Sequence, residues 1–441
     1  MARRTRTLTY EAVGSLLDAP AGAYIHVPFC ASICPFCPYN KVIPRPGQAE
    51  RYASALLREV RGYREAGLPG EGGFSSLYVG GGTPTLVPEL LAAIVAEVPV
   101  QGERAVEVLP DPAAGRLLDT LREVGFTAVS VGVQSFSDDV LRHLRRPHDG
   151  RAAESTLAAA LERFALVDAD LILDVEYDDG HAGSFLRDLT RCLDLGVHQV
   201  STYPLMRFGF TPFGKGGHQR RREHDVLAEA TRLARERGYE RRSVWTFNRP
   251  DSPSYSSITR RRFVGLGAGA ASFLGRDFLA NHFGVETYVS AVAAGRPPVA
   301  RWLHLGRPGG VAYDAFWQAY AGRRGLTGRG LDLFHDLERA VTYRLIEPLW
   351  AQLLAEHARE GGRAGWAAPA SSSGGLTWRL ASALLERPLS VQPVFCSPAA
   401  APFMVSSTTV RQRAASASSA AAAWPCSIRR ARICMCDKAS M

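Results

Sequence analysis

Lysine is almost absent from this chain. Only Lys41, Lys215 and Lys438 are lysines among 52 basic residues; the rest are arginine. Such a bias reflects a GC-rich genome more than a binding surface. No uninterrupted apolar run reaches about 18 residues, so no membrane-spanning helix is expected. No apolar stretch follows the basic start Met-Ala-Arg-Arg-Thr-Arg. The chain is therefore read as having no signal peptide and as cytoplasmic. Acidic residues are not scarce: 43 stand against 52 basic ones, a formal charge of +9. Residues 367–441 hold eight basic and two acidic residues. That segment alone carries +6 and leaves about +3 for the body, which argues against a nucleic-acid partner. Cysteine is sparse as well. Eight in 441 residues do not make a small disulfide scaffold.

What is present suits a packed core: 46% hydrophobic and 22% charged residues, in a length that allows two domains or one barrel with an appendage. Strand and helix patterns alternate. Strands are predicted at Tyr24–Phe29, Ser75–Val79, Ala105–Leu109, Ala128–Val133, Leu171–Tyr177, Gln199–Leu205 and Arg242–Phe247. Helices are predicted at Ala49–Ala66, Pro88–Val98, Ala113–Val124, Asp138–Arg145, Arg151–Phe164, Ser184–Leu195 and Arg221–Arg237. Six or seven βα units in series point to an α/β fold, a full or partial (β/α) barrel whose chemistry sits at the C-terminal strand ends. Residues 251–366 read as a smaller, mainly helical second region with a Gly/Ala-rich turn at Gly265–Ser272. Residues 367–441 are irregular and rich in Ala and Ser. Intrinsic disorder and a shifted reading frame are both consistent with that composition.

Three of the cysteines are crowded as Cys30-x3-Cys34-x2-Cys37 at the end of the first predicted strand. Three thiolates within eight residues can wrap one metal centre. Tetrahedral zinc needs a fourth ligand, and the nearby His26 and Tyr39 are in poor register for it. A [4Fe–4S] cubane held by three cysteines keeps one iron open for a ligand. Cys192, in an apolar helical pattern, reads as a buried core thiol.

These residues carry a family resemblance. Tyr24-Ile-His-Val-Pro-Phe-Cys30, the cysteine loop and Asn40-Lys41 resemble the radical S-adenosylmethionine enzymes, in particular the oxygen-independent coproporphyrinogen III oxidase-like (HemN-like) branch. Gly80-Gly81-Gly82-Thr83-Pro84-Thr85 is similar to its second motif. Val131-Gly132-Val133-Gln134-Ser135-Phe136, with Leu144-Arg145-Arg146, looks like its third. Gly265–Ser272 resembles the turn that joins the barrel to the family's C-terminal domain. The resemblance covers roughly residues 24–300 and implies four segments. They are an N-terminal extension (1–23), a partial (β/α)6-type barrel (24–250), a smaller C-terminal domain (251–366) and the tail (367–441).

The resemblance also implies roles. Cys30, Cys34 and Cys37 would hold the [4Fe–4S] cluster, and its open iron would bind S-adenosylmethionine. Phe36 would sit beside the adenine. Gly81, Gly82 and Thr83 would present backbone to the methionine end, where glycine permits close approach. Glu107 and Arg146 would contact polar groups of S-adenosylmethionine. Gln134 and Asp174 would face ribose hydroxyls or a second S-adenosylmethionine, and Tyr24 would contact the sulfonium. Blander readings stand beside these: a surface carboxylate for Glu107, a strand-end amide for Gln134, a turn partner for Asp174 and a solvated charge for Arg146.

The implied chemistry is one-electron cleavage of S-adenosylmethionine to a 5′-deoxyadenosyl radical, with a reductase, flavodoxin or ferredoxin as electron donor. Three departures bear on the branch. Only 23 residues precede Tyr24, and Tyr39 stands where coproporphyrinogen enzymes have a fourth cysteine. The motifs typical of heme chaperones are replaced by Tyr255-Ser-Ser-Ile-Thr and Ala271. The favoured expectation is C-methylation or cyclopropanation of a natural-product intermediate, an aromatic or polycyclic small molecule, with one or two S-adenosylmethionines. Coproporphyrinogen III dehydrogenation and a non-catalytic heme or cluster carrier are the alternatives.

Overall fold

A computed structural model describes residues 8–354, apart from 18, 71, 175–182, 215–219, 254–261, 323–327, 349–350 and 352–353. The tail expected at 367–441, the Tyr255–Thr259 stretch and the end of the strand expected at Leu171–Tyr177 lie outside the described residues.

Six strands run parallel: β1 (Gly22–Val27), β2 (Leu77–Gly81), β3 (Arg104–Val108), β4 (Ala128–Gln134), β5 (Leu166–Leu173) and β6 (Gln199–Pro204). A short helix, α1 (Tyr10–Gly14), precedes them. In turn they are followed by α2 (Gln48–Glu65), α3 (Pro88–Glu97), α4 (Ala114–Val124), the pair α5 (Asp138–His143) and α6 (Gly150–Leu161), α7 (Gly183–Asp194) and α8 (Arg220–Glu236). Strands pair in chain order, from Ala23 opposite Leu77 to Asp168 opposite Gln199. This is the expected six-unit (β/α) arrangement.

The residue pattern explains the layers. Ile25, Val79, Val106, Val131 and Ala169 belong to the core under the helices. The residues between them alternate to the other face. There Tyr24, Tyr78, Ala105, Ala128 and Leu166 form a small apolar floor, with Glu107, Ser130, Asp168 and Asp170 further along the strands. On α2 the buried positions Tyr52, Leu56, Glu59, Val60 and Tyr63 follow helical spacing. Full burial of a Leu or Val there contributes about 1.5–3 kcal/mol.

Two expected strands differ. The fifth begins at Leu166, not Leu171. Its aspartates at 168 and 170 disguised a strand whose polar face is turned inward. The segment expected as a seventh parallel strand is a hairpin, β7 (Glu240–Arg241) and β8 (Thr246–Asn248), with β8 antiparallel to β6. Helix α8 crosses back as in the other units, but the chain turns after the two-residue β7, and the returning β8 takes the place beside β6.

At the other edge β9 (Phe263–Leu266) lies parallel to β1. The antiparallel strands β10 (Ala271–Leu274), β11 (Asp277–Asn281) and β12 (Val299–His304) extend the sheet from it. Helices α9 (Val285–Ala293), α10 (Arg307–Tyr320) and α11 (Arg329–Val341) complete this part. The β9–β10 turn needs Gly267, whose φ is +98° and where a Cβ would come within 2.5 Å of the His26 carbonyl oxygen. A second core joins Phe273 and Phe278 of the sheet with Tyr313, Phe316, Trp317 and Tyr320 of α10 and Leu331 and Phe334 of α11. Cys192 is fully buried. No helix among the described residues is long and apolar enough to cross a membrane.

Candidate active site

The chain after β1 folds back on itself and carries the three cysteines. Cys30 N–H donates to the Val42 carbonyl (3.0 Å) and Val42 N–H to the Pro28 carbonyl (2.7 Å), closing the loop at its base. Cys37 N–H donates to the Cys34 carbonyl (3.3 Å) at its tip. Buried Asn40 ties the loop to the far edge of the sheet, donating to the carbonyls of Ala268 (3.0 Å) and Phe283 (2.8 Å). Lys41 is buried and donates to the carbonyls of Cys37 and Tyr39. All three cysteines line one cavity of about 420 Å³ at the C-terminal ends of the parallel strands.

Burial pushes the Cys30 thiol up to about 12, with the neighbouring Cys37 and Cys34 adding to the rise. Burial also raises Cys37. Such thiols shed their protons to soft metal. No three His, Cys, Asp or Glu side chains among the described residues gather closely enough to share one metal ion. A cubane instead spreads its cysteine ligands over three irons. The set therefore fits a [4Fe–4S] cluster better than zinc. The facing wall leaves room for it. At Gly82 a Cβ would overlap the Phe29 carbonyl and lie 3.0 Å from Cys30 Sγ.

The remaining wall comes from successive strand ends. From β1, Tyr24 OH and His26 Nδ1 are 2.8 Å apart, and His26 Nε2 lies 2.8 Å from the Asn40 carbonyl. A carbonyl only accepts, so Nε2 carries the proton and Tyr24 donates to Nδ1. Burial holds His26 down at about 4, so the ring is neutral. From β2, Gly81 adopts φ +118° and its N–H donates to Glu107 Oε2 (3.0 Å). Tyr78 donates to Glu107 Oε1 (2.6 Å). Glu107 is thus a cavity carboxylate held from two sides, which excludes the surface reading.

On β4 the ladder shifts register between Val131 and Gln134, and Gln134 takes φ +66°. That distortion accompanies its place in the cavity wall. Gly132 makes room: a Cβ there would lie 3.2 Å from Gln134 Nε2 and 3.3 Å from Arg146 Nη2. Arg146 donates from Nη2 to the Gly132 carbonyl (2.9 Å) and from Nη1 to Cys34 Sγ (3.3 Å).

The cavity brings together Tyr24, Cys30, Cys34, Phe36, Cys37, Gly81, Gly82, Thr83, Glu107, Gln134 and Arg146. Asp174 lies apart from that lining. Arg207 Nη2 grips both its oxygens at 3.1 Å, and His143 Nε2 is 3.5 Å away. The cavity carboxylate of β5 is Asp170, which sequence reasoning missed. Ser130 donates to it (2.8 Å). Burial raises Asp170 to about 7, with opposition from Ser130. Below it, buried Asp168 accepts from Ser201 (2.7 Å) and Gln199 (3.1 Å). Strict alternation in Val167-Asp-Ala-Asp-Leu171 was the signal that both aspartates share the inner face. After β6, Leu205 and Met206 reach the cavity, whereas Phe208 and Phe210 are buried in the second core.

Residues 24–179 match the model of the Radical SAM superfamily. The chain is 30% identical over 310 residues to the heme chaperone HemW of Mycobacterium tuberculosis, across 65% of this chain and 78% of that protein. It is 27% identical over 321 residues to the oxygen-independent coproporphyrinogen III oxidase of Pseudomonas aeruginosa, across 65% and 68%. The structure of coproporphyrinogen III oxidase (HemN) from Escherichia coli matches with a TM-score of 0.63 at 23% sequence identity, across 80% of this chain and 87% of that one. At that identity the structural likeness speaks for the fold.

Proposed function

The chain belongs to the HemN-like family of radical S-adenosylmethionine proteins, and from that premise we propose that it reductively cleaves S-adenosylmethionine and takes hydrogen from a small organic substrate. The observation that carries this reading is one cavity shared by Cys30, Cys34 and Cys37 with Gly81, Gly82, Thr83, Glu107, Gln134 and Arg146. The cofactors are those of the family, a [4Fe–4S] cluster and S-adenosylmethionine. Together they supply one-electron C–S bond cleavage and a carbon radical.

The chain's own residues hold and orient. The three thiolates would anchor three irons. Gly81, Gly82 and Thr83 would offer close backbone approach to the amino-acid end of S-adenosylmethionine. Glu107 and Asp170, both inward and hydrogen-bonded, would accept from its ammonium or hydroxyl groups. Tyr24, fixed by neutral His26, keeps its oxygen aimed at the same space. Tyr203, Leu205 and Met206 form the apolar side of the cavity, where a flat organic substrate would lie. Ordering both partners in one water-poor cavity is the protein's share of the rate.

The substrate class best supported by the named relatives is tetrapyrrole-related. C-methylation, the expectation from the departures in sequence, has no counterpart among them. Heme carriage without turnover is the second reading, favoured by 30% identity to a heme chaperone over 78% of its length.

The test is anaerobic reconstitution with iron and sulfide, then dithionite and S-adenosylmethionine, with Cys30→Ala as control. 5′-Deoxyadenosine from the wild type alone supports the proposal. Its absence from a fully loaded protein, together with stoichiometric heme binding, would replace it with carriage. S-Adenosylhomocysteine alongside deoxyadenosine would restore the methyl-transfer reading.

A further inference from the structure

We propose that Arg146 tunes the iron–sulfur cluster through Cys34, raising its reduction potential so that an external one-electron donor can reduce it. The inference rests on the three cysteines holding the cluster.

Arg146 is built into place from both directions. Its backbone ends α5: Arg146 N–H donates to the Leu141 carbonyl (2.8 Å) and Arg145 N–H to the Arg142 carbonyl (3.1 Å). This helix ending needs a left-handed residue, a place usually filled by glycine. Here Arg145 fills it at φ +51°, and the strained turn delivers the next residue into the cavity. Nη2 is pinned by the Gly132 carbonyl at 2.9 Å, beside a glycine at which a Cβ would lie 3.3 Å from it. Nη1 then falls 3.3 Å from Cys34 Sγ.

No carboxylate among the described residues pairs with this guanidinium. Its charge acts on Cys37 of the thiol loop, on Asp170 and on His148. Lys41 stands on the other side, donating to the Cys37 and Tyr39 carbonyls. Half-buried Arg146 and buried Lys41 thus both stand by the thiol loop, and Cys30 has the Thr83 hydroxyl and the Lys41 charge near it.

Hydrogen bonds to cluster sulfurs and local charge are the levers by which a protein sets cluster potential. The couple takes up one electron and no proton, so the reduced state is more negative by one charge. A fixed cation at 3.3 Å from a ligand sulfur favours that state. The guanidinium matters as a fork. One arm needs the Gly132 carbonyl to hold the other on sulfur, which a lysine cannot reproduce.

The experiment is an EPR-monitored redox titration of the reconstituted full chain, without S-adenosylmethionine, for wild type, Arg146→Lys, Arg146→Gln and Arg145→Gly. Iron and sulfide content is measured beside it, and the EPR signal reports only cluster-bearing molecules. Arg146→Gln is expected to lower electron affinity about tenfold, a shift of about 59 mV to the negative for one electron. Arg146→Lys should move the same way by less, and Arg145→Gly should stay at the wild-type midpoint. Loaded Gln and Lys variants titrating with the wild type would overturn the inference. A wild type that binds no four-iron cluster would overturn the site reading and this inference with it.

Discussion

Replacing Glu59 by glutamine removes a charge and almost no volume, at a junction between α2 and the β9–β10 turn. Glu59 is fully buried and accepts from Gly267 N–H (2.9 Å), Asn281 Nδ2 (3.1 Å) and Tyr288 OH (2.5 Å). Burial lifts its carboxyl from 4.5 to about 7, against the pull of those three bonds. A carboxyl raised on folding keeps its proton where the unfolded chain has lost it. Its contribution is therefore full at low pH and lost as pH rises from about 4.5 through 7. The rise corresponds to about 3 kcal/mol at 1.36 kcal/mol per pH unit. Glutamine avoids that loss but offers an NH2 where one donor needs an acceptor, at a cost of about 1–3 kcal/mol at every pH. Glu59→Gln should therefore be about 1–3 kcal/mol less stable than wild type near pH 5. The gap should close or reverse by about pH 8. Urea unfolding of both proteins across that range reads the difference directly, because the other raised carboxyls, Glu107, Asp168, Asp170 and Glu338, are common to both. A variant whose stability runs parallel to wild type from pH 5 to 8 would refute the reasoning.

Gly82→Ala should cost about 1–3 kcal/mol of overpacking and lower iron content after reconstitution, since its Cβ would meet the Phe29 carbonyl and Cys30 Sγ. Arg145→Gly should raise stability by about 1 kcal/mol, read as a higher Tm. It relieves a left-handed arginine costing roughly 1–2 kcal/mol, offset in part by the entropy of glycine. Asp170→Asn should weaken S-adenosylmethionine binding at least about tenfold, the scale of a charged hydrogen bond, by equilibrium dialysis of the loaded protein. Asp174→Asn should leave that affinity within about threefold and lower stability instead, because it loses the Arg207 pair.

Much of this was legible in the residues because the motifs are local. The cysteine loop follows β1, and Gly80–Thr85 and Val131–Phe136 begin within β2 and β4, strands whose apolar residues are plain, so their place at strand ends could be argued without coordinates. Asp170 was hidden for the opposite reason. Its strand is polar on one face, and polarity reads as loop until the inner face of a barrel is recognised as a place for carboxylates. Asp174, two residues past Ile172 of the cavity wall, shares the face but lies with His143 and Arg207. No spacing rule gives that height above the cavity. The hairpin at 240–248 was mistaken for another parallel strand because periodicity does not encode direction. The link from Glu59 and Tyr52 to Gly267 and Ala268 spans more than 200 positions, and nothing in either segment announces the other. Tyr52 also donates to the His26 carbonyl at 2.5 Å, so the distant turn helps to set the strand that carries Tyr24.

The most direct test of the account is the EPR spectrum of the reduced, reconstituted wild type before and after S-adenosylmethionine is added. Three cysteines and an open iron predict a [4Fe–4S]+ signal that changes shape on addition, and its loss in Cys30→Ala. A signal indifferent to S-adenosylmethionine, or one that survives unchanged without Cys30, would contradict the assignment of the cavity.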